Sequence, residues 1–379
     1  MNRTLTASAV AAALLCTAAT AFAADVQIYG RVDAGLKYVH QEGGKDDFTL
    51  NSGGRAHNRV GLNIKEDLGN GMEVKGYLEN GFTLDDGSFD TEGQLFNRRS
   101  ILAVKGAYGE LGLGRMGTVQ STVAPYAMGL IKYDPFGTSY SQASIGSTFA
   151  NTSRINNGVT WISPEWNGWK VGATYGMGDS SDEEKWQDRN HTLALATDYT
   201  GENLYLSFTF ANVQRANTST TVTDDAQLYG TGGWIRFVPS ARLFWGVQYQ
   251  KSWASAAGVA ASDLYVDPDV DAENRVRIDG ISGGFDGVSL LLGTDYVTGP
   301  HKVIGGVQFF DGELADNKDA DYRLTVLAAA YEYKFAKTVW GYVAATTSFG
   351  SGDLVKRSIA DADYENDASE LMVGINWNF

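Results

Sequence analysis

The chain of 379 residues carries 45 acidic and 30 basic side chains, a net charge of −15 at pH 7. This acidic balance argues against nucleic acid as a partner, because binding to phosphates needs an excess of lysine and arginine. Length alone would suggest two or three soluble domains, but no linker or low-complexity stretch divides the chain. With 45 glycines and only 6 prolines, it fits one β-rich domain, either soluble or a barrel with a wet interior.

The first residues have the three parts of a secretory signal peptide. Arg3 is followed by an apolar stretch over 7–15 and by the A-x-A sequence of residues 21–23. We therefore predict a signal peptide over 1–23 and a mature domain over 24–379. Cleavage removes the only cysteine, Cys16, so no disulfide is expected. It leaves 29 basic against 45 acidic residues, a net charge of −16.

The segment 26–38 opens the mature chain with alternating apolar and polar side chains. Val26 and Ile28 lie on one face of the predicted strand, whereas Arg31 and Lys37 lie on the other. Charged side chains do not face a dry core unpaired. One side of this strand therefore meets an apolar environment and the other side meets water.

The same period-two pattern recurs to the end of the chain and predicts sixteen strands. They lie near 26–38, 59–65, 72–79, 97–105, 110–116, 154–163, 169–177, 190–199, 203–212, 226–238, 242–252, 288–297, 302–311, 322–333, 338–349 and 369–379. Short turns alternate with long acidic connections, which is typical of an outer-membrane barrel. A further segment, 274–283, is assigned to a long outside loop, because bacterial barrels have an even number of strands.

One long connection, 116–153, differs from the others because it is nearly uncharged. It is rich in Ser, Thr, Gly, Ala and aromatic residues, and its only charges are Lys132 and Asp134. A connection that lacks charge is not expected to lie in water, and its aromatic residues argue against disorder. We predict a loop folded into a space that the strands enclose. The alternative is an insertion packed on an ordinary β core.

Four stretches resemble the trimeric general diffusion porins of Gram-negative bacteria. Residues 26–35 are similar to the family's first strand, and residues 66–82 are similar to its second hairpin. Residues 112–115 resemble the strand that enters the constriction loop, and residues 154–166 resemble the strand that leaves it. Together with the aromatic carboxyl terminus, these stretches span the mature chain in the family's order.

The resemblance implies an all-β fold: a 16-stranded antiparallel transmembrane β-barrel with short periplasmic turns and long external loops. The third loop, about 116–153, would fold into the lumen. The implied function is that of an outer-membrane porin, a water-filled channel for passive diffusion of small hydrophilic solutes and ions. One alternative is a substrate-specific outer-membrane channel. Another is a barrel enzyme, but the sequence has no nucleophile–base constellation, so we expect no enzymatic activity.

In the family, acids on the third loop face basic residues of the wall, and Asp134 is the only acid that this loop offers. The predicted constriction residues are Arg31, Lys37, Arg59, Arg98, Arg99, Arg115, Asp134 and Arg154. Strand parity turns Arg59 inward, and likewise Arg154, which shares a face with Thr160. The same parity would turn Arg115 to lipid, so we expect the regular strand to end before it. The arginines predict a weak preference for anions.

The resemblance also implies partners: a homotrimer, the lipid bilayer with lipopolysaccharide, and the outer-membrane barrel assembly machinery. Trp377 and Phe379, on the last alternating strand, are similar to the signal that this machinery reads. No cofactor is expected, although the acidic external loops offer loose binding of divalent cations. Residues 267–271 do not form an EF-hand, because Ala272 replaces the required glycine and Ile278 the bidentate glutamate.

Overall fold

The computed structural model describes residues 24–42, 44, 46–178, 185–186, 189–215, 224–256, 259–260, 284–352, 357–359, 362–364 and 367–379. The predicted signal peptide, the segment 274–283 and the acidic stretch 267–271 lie outside these residues. The sequence-based interpretations of those three segments therefore stay predictions.

The wall is one antiparallel sheet that closes on itself, because the first strand pairs with the last. Its strands are β1 (Asp25–Gln41), β2 (Asp47–Ser52), β3 (Arg59–Gly69), β4 (Met72–Gly81), β5 (Arg99–Gly106), β6 (Gly109–Gly117), β7 (Arg154–Ile162), β8 (Trp169–Gly176), β9 (His191–Thr200), β10 (Leu204–Gln214), β11 (Ala226–Val238), β12 (Ala241–Trp253), β15 (Phe285–Thr298), β16 (His301–Leu314), β17 (Asn317–Ala336), β18 (Val339–Ser351) and β21 (Ala368–Asn378). Four short strands lie in connections: β13 (Ser255–Ala256), β14 (Val259–Ala260), β19 (Arg357–Ile359) and β20 (Ala362–Tyr364).

The second barrel strand is interrupted, which the sequence pattern did not predict. β3 pairs with the first half of β1, from Asp25 to Arg31, and β2 pairs with its second half. The two are halves of one strand, so the wall is the predicted sixteen-stranded antiparallel barrel. Residues 53–58 between the halves approach the buried carboxylate of Asp33, which accepts a hydrogen bond from the Ala56 amide at 3.2 Å.

Closure explains how so many strands exist in lipid. The last residue, Phe379, exchanges two backbone hydrogen bonds of 3.0 Å with Gly30 of β1, so neither strand keeps an unpaired edge. Large apolar side chains such as Leu292 and Val303 point outward and are half exposed, as a lipid-facing wall requires. Among the described residues, no helix is long and apolar enough to cross a membrane.

The uncharged connection lies inside the barrel, as predicted. It contains a single helical turn, α1 (Leu130–Tyr133), and two 3₁₀ turns, Ser141–Ala143 and Ile145–Ser147. Its large side chains are fully buried against inward-facing wall residues. The apolar core of this protein therefore lies between the loop and the wall, and the other surface of the loop faces the lumen.

Candidate functional site

Two inward-facing glutamines attach the loop to the wall. Gln248 of β12 accepts from the Ala150 amide at 2.7 Å and donates to the Ala150 carbonyl at 2.8 Å. Gln308 of β16 donates to the Ala143 carbonyl at 2.7 Å and accepts from the Thr148 hydroxyl at 2.8 Å. Because these amides satisfy loop backbone groups that would otherwise be buried without partners, they fix the loop at one depth.

Two cavities lie on either side of the loop, and three residues, Arg31, Ile131 and Gly137, line both. We call the first the turn-side cavity, of about 330 Å³, because Arg242 and Lys302 in its wall directly follow short turns. The second is the loop-side cavity, of about 420 Å³, whose wall residues border long connections. The three shared residues mark the waist of the pore.

One glutamate and three arginines form a charged cluster in the wall of the loop-side cavity. The Glu79 carboxylate accepts from Arg98 at 2.8 Å and from Arg99 at 2.7 Å, and Arg59 lies 3.9 Å away. The Tyr29 hydroxyl donates to the same carboxylate at 2.7 Å. Asp90 also lies 3.8 Å from Arg98. Three permanent positive charges therefore face two negative charges, and the cluster keeps a positive excess.

Two further arginines of this cavity have no carboxylate partner. Arg31 donates to the amide oxygen of Asn378 at 2.8 Å, and Arg154 donates to the backbone carbonyl of Arg98 at 3.2 Å. Among the residues that the structure describes, neither guanidinium lies within 4.0 Å of an acid. Both charges are held in place by neutral oxygens and have no paired carboxylate, Arg31 at the waist and Arg154 in the loop-side cavity.

The turn-side cavity is lined by cations that the sequence analysis missed. Arg55, in the interruption between β2 and β3, pairs with Glu332 at 3.0 and 3.1 Å, and Tyr140 of the loop donates to the same carboxylate at 2.6 Å. Arg242 pairs with Asp295 at 2.5 Å, and Lys302 lies 3.8 Å from that acid. Parity along β12 and β16 would have revealed the last two cations, whereas Arg55 lies outside any strand.

Asp134, the predicted loop acid, does not point at the basic wall. Its carboxylate accepts from the backbone amides of Phe136, Thr138 and Ile145 at 2.9, 2.8 and 3.0 Å. Burial raises the pKa of Asp134 to about 6, although the three amides oppose that rise. The residue holds the turn after α1 together and is not the acidic side of a transverse field.

Two predicted residues lie outside the two cavities, and one strand boundary differs from the prediction. Lys37 and Arg115 line neither cavity; Lys37 lies 3.9 Å from Glu370, and Arg115 donates to the Asn97 carbonyl at 2.8 Å. Their assignment to the constriction therefore stays a prediction. The strand also does not end before Arg115, because β6 continues to Gly117 through a register shift between Gly114 and Met116.

The argument from parity for Arg154 was wrong, although its side chain does line the loop-side cavity. Asn157 has a φ of 49°, which shifts the alternation so that Ile155 packs inward with Met116 and Tyr126. Arg154 reaches the lumen because it is the first residue of β7, where the loop rejoins the wall. Arg98, which immediately precedes β5, is likewise free of the alternation, so both it and Arg99 face the cavity.

A barrel with an internal loop and a charged waist is the architecture of a diffusion channel. A family model of Gram-negative porins matches residues 7–353. The chain belongs to the Gram-negative porin family. It is 26% identical to an outer membrane porin protein of Bordetella pertussis, over 89% of this chain and 91% of that one.

Solved structures agree on the fold. An anion-selective porin from Comamonas acidovorans superposes with a TM-score of 0.70, at 21% identity, over 94% of this chain and all of that one. A trimer form of OmpT, an outer membrane protein of Vibrio cholerae, superposes with a TM-score of 0.62 at 18% identity, over 94% and 100% of the two chains. This protein is an outer-membrane porin, a channel for passive diffusion of small hydrophilic solutes and ions.

Proposed function

We propose that this porin favours small anions over cations, and that the chain assembles as a homotrimer without catalysing a reaction. The observation that carries the ion preference is the pair of guanidiniums without a carboxylate partner, Arg31 at the waist and Arg154 in the loop-side cavity. A guanidinium keeps its proton at any working pH. In a narrow passage with walls of low dielectric constant, its field acts on each passing ion with little screening.

The acids of the constriction wall support this preference because each has cationic partners, and Asp134 of the loop is bonded to three backbone amides. Glu79 is shared among three arginines, Glu332 is bound by Arg55, and Asp295 has Arg242 and Lys302 near it. No carboxylate of the described lumen wall is left to attract a passing cation at the two cavities. The many other acids of the chain lie largely in external connections, where salt screens them over about 8 Å at physiological ionic strength.

The zero-current potential across a planar bilayer tests the ion preference. With a gradient of potassium chloride, we expect the sign that corresponds to a higher permeability of chloride than of potassium. The preference should weaken in molar salt, because the Debye length falls to about 3 Å. A potential of the opposite sign at every salt concentration would contradict the proposal.

The apolar residues of the connection between β4 and β5 support self-association. Leu84, Phe89 and Leu95 are exposed there, and Phe48 of the neighbouring β2 is 66% exposed. This connection is on the long-loop side of the barrel, where water would otherwise contact these side chains, and grouped exposed apolar residues mark protein contacts. The trimer form of the Vibrio cholerae relative is consistent with this surface joining subunits. The proposed contacts with lipopolysaccharide and the assembly machinery rest on the family resemblance.

A further inference from the structure

We propose that glycines on the inner wall are seats for individual side chains of the internal loop, and that these seats set the width of the waist. Each seat exists because a glycine has no Cβ atom, so a loop side chain occupies the space that a methyl group would fill. The inference rests on conduction through the pore and not on its preference for anions.

The seats that matter most lie under residues 135–136, next to the waist. A Cβ atom on Gly306 of β16 would lie 3.0 Å from the ring carbon Cε2 of Phe136. A Cβ atom on Gly293 of β15 would lie 2.6 Å from Cγ of Pro135. Gly137, the next residue of the loop, lines both cavities. The positions of Pro135 and Phe136 against the wall therefore determine how far Gly137 projects into the lumen.

The same contact recurs along the rest of the loop. A Cβ atom on Gly246 of β12 would lie 2.9 Å from Tyr133 and 3.3 Å from Phe149, and its three nearest atoms all belong to loop side chains. A Cβ atom on Gly172 of β8 would lie 2.6 Å from the sulfur of Met128. A Cβ atom on Gly112 of β6 would likewise overlap the side chain of Tyr126. Five strands thus each have a glycine on the inner wall against which a loop side chain packs.

The direction of the effect follows from where the loop lies. Non-bonded carbon atoms prefer a separation of roughly 3.5–4.0 Å, so a methyl group on Gly306 would push the ring of Phe136 inward by a few tenths of an ångström. The closed, hydrogen-bonded wall resists displacement, whereas the opposite surface of the loop faces water. The loop should therefore move into the lumen and narrow the waist.

Adjacent residues provide a matched control on the same strand. Gly305 has the opposite orientation to Gly306, and a Cβ atom there would meet nothing within 4 Å. Gly305→Ala thus makes the same chemical change, at the same depth, without touching the loop. The double variant Gly306→Ala/Phe136→Leu adds the methyl group but removes the ring that it would displace.

The experiment compares single-channel conductance of the four proteins, namely wild type, Gly305→Ala, Gly306→Ala and the double variant, in planar bilayers. We expect Gly306→Ala to conduct less than wild type. In liposome swelling, the largest sugar that permeates it should be smaller than for wild type. Gly305→Ala should match wild type, and the double variant should regain conductance. The zero-current potential should keep its sign in all four, which separates failure of this inference from failure of the anion preference.

Two results would overturn the inference: equal conductance in Gly306→Ala and Gly305→Ala, or a reduced conductance that Phe136→Leu does not restore. If Gly306→Ala does not yield a folded barrel, Gly246→Ala takes its place, with Tyr133→Leu as the compensating change. The atoms nearest to a Cβ atom on Gly246 all belong to loop side chains. A folded Gly246→Ala barrel with wild-type conductance would therefore also contradict the inference.

Discussion

At the scale of single residues, the arginines of the constriction divide into two groups. Arg98, Arg99 and Arg55 hold wall acids and contribute to local order. Arg31 and Arg154 donate to neutral oxygens instead. Removing a member of the first group would take a charged hydrogen-bond donor from a buried carboxylate, which is destabilising. Removing Arg154 avoids that penalty, so its charge can be tested separately from the fold.

Arg154→Ser should move the zero-current potential toward cations. One charge at about 8 Å from a passing ion contributes about 0.5 kcal/mol in water, which corresponds to roughly a twofold change in relative permeability. The shift should shrink in molar salt. The measurement is the reversal potential in a potassium chloride gradient.

Arg115→Ser is the matched control for this substitution, because Arg115 lines neither cavity and should leave the potential unchanged. Both variants must first migrate as folded barrels. An unchanged potential in folded Arg154→Ser would mean that this guanidinium is only structural.

At the scale of elements, the internal loop and the interruption of the second strand act as one unit. The Tyr140 amide donates to the carbonyl of Gly54 at 2.7 Å, and its hydroxyl and Arg55 meet on Glu332. The tip of the loop is thereby tied both to the wall and to the 53–58 segment. The two stems of the loop are also close together, since the Thr152 amide donates to Gln120 at 2.9 Å.

Deleting residues 121–147 should raise single-channel conductance and admit larger sugars. The excision joins two neighbouring stems, so the wall need not stretch, and it removes the residues that narrow the lumen. Heat-dependent migration in detergent gels serves as the control for a folded barrel. Unchanged conductance in a folded deletion variant would mean that the loop does not limit permeation.

At the scale of the whole molecule, closure supplies the stability that most small domains obtain from a compact core. Every wall strand except β2, which pairs only with β1, has a neighbour on both sides, so the wall makes its backbone hydrogen bonds within the sheet, in a medium that offers no substitutes. The closing pair, β1 with β21, joins the two ends of the chain. In the proposed trimer, the apolar residues around Phe89 would contact other subunits.

The intact protein should be a heat-modifiable trimer. Unboiled samples in detergent gels should migrate as trimers and boiled samples as monomers. Phe89→Ala should lower the temperature of trimer dissociation, because it removes an exposed apolar contact outside the bilayer. Val303→Ala, a similar truncation on the lipid-facing wall, should change it less. Monomeric migration of both boiled and unboiled wild type would count against the trimer, although not against the barrel.

The sequence by itself determined the fold and the family. Alternation of side chains is a local property, readable from neighbours in the chain, and it predicted the sixteen strands and their lipid-facing side. The absence of charge in 116–153 likewise predicted the internal loop, because burial selects composition. The same local reading identified Arg59, and half of the Arg98–Arg99 pair, as residues facing the lumen.

Only the tertiary structure decided which charges meet. Arg55 and Glu332 are 277 residues apart in the chain, and closure of the barrel brings them together. Alternation also fails to predict which side chains face inward wherever the backbone departs from a regular strand. This happens at Asn157 and in the 53–58 interruption. Asp134 bonds to the amides of its own turn, and no local pattern distinguishes that role from a place in the pore. The constriction depends on contacts between distant residues, so alternation along single strands could not specify it.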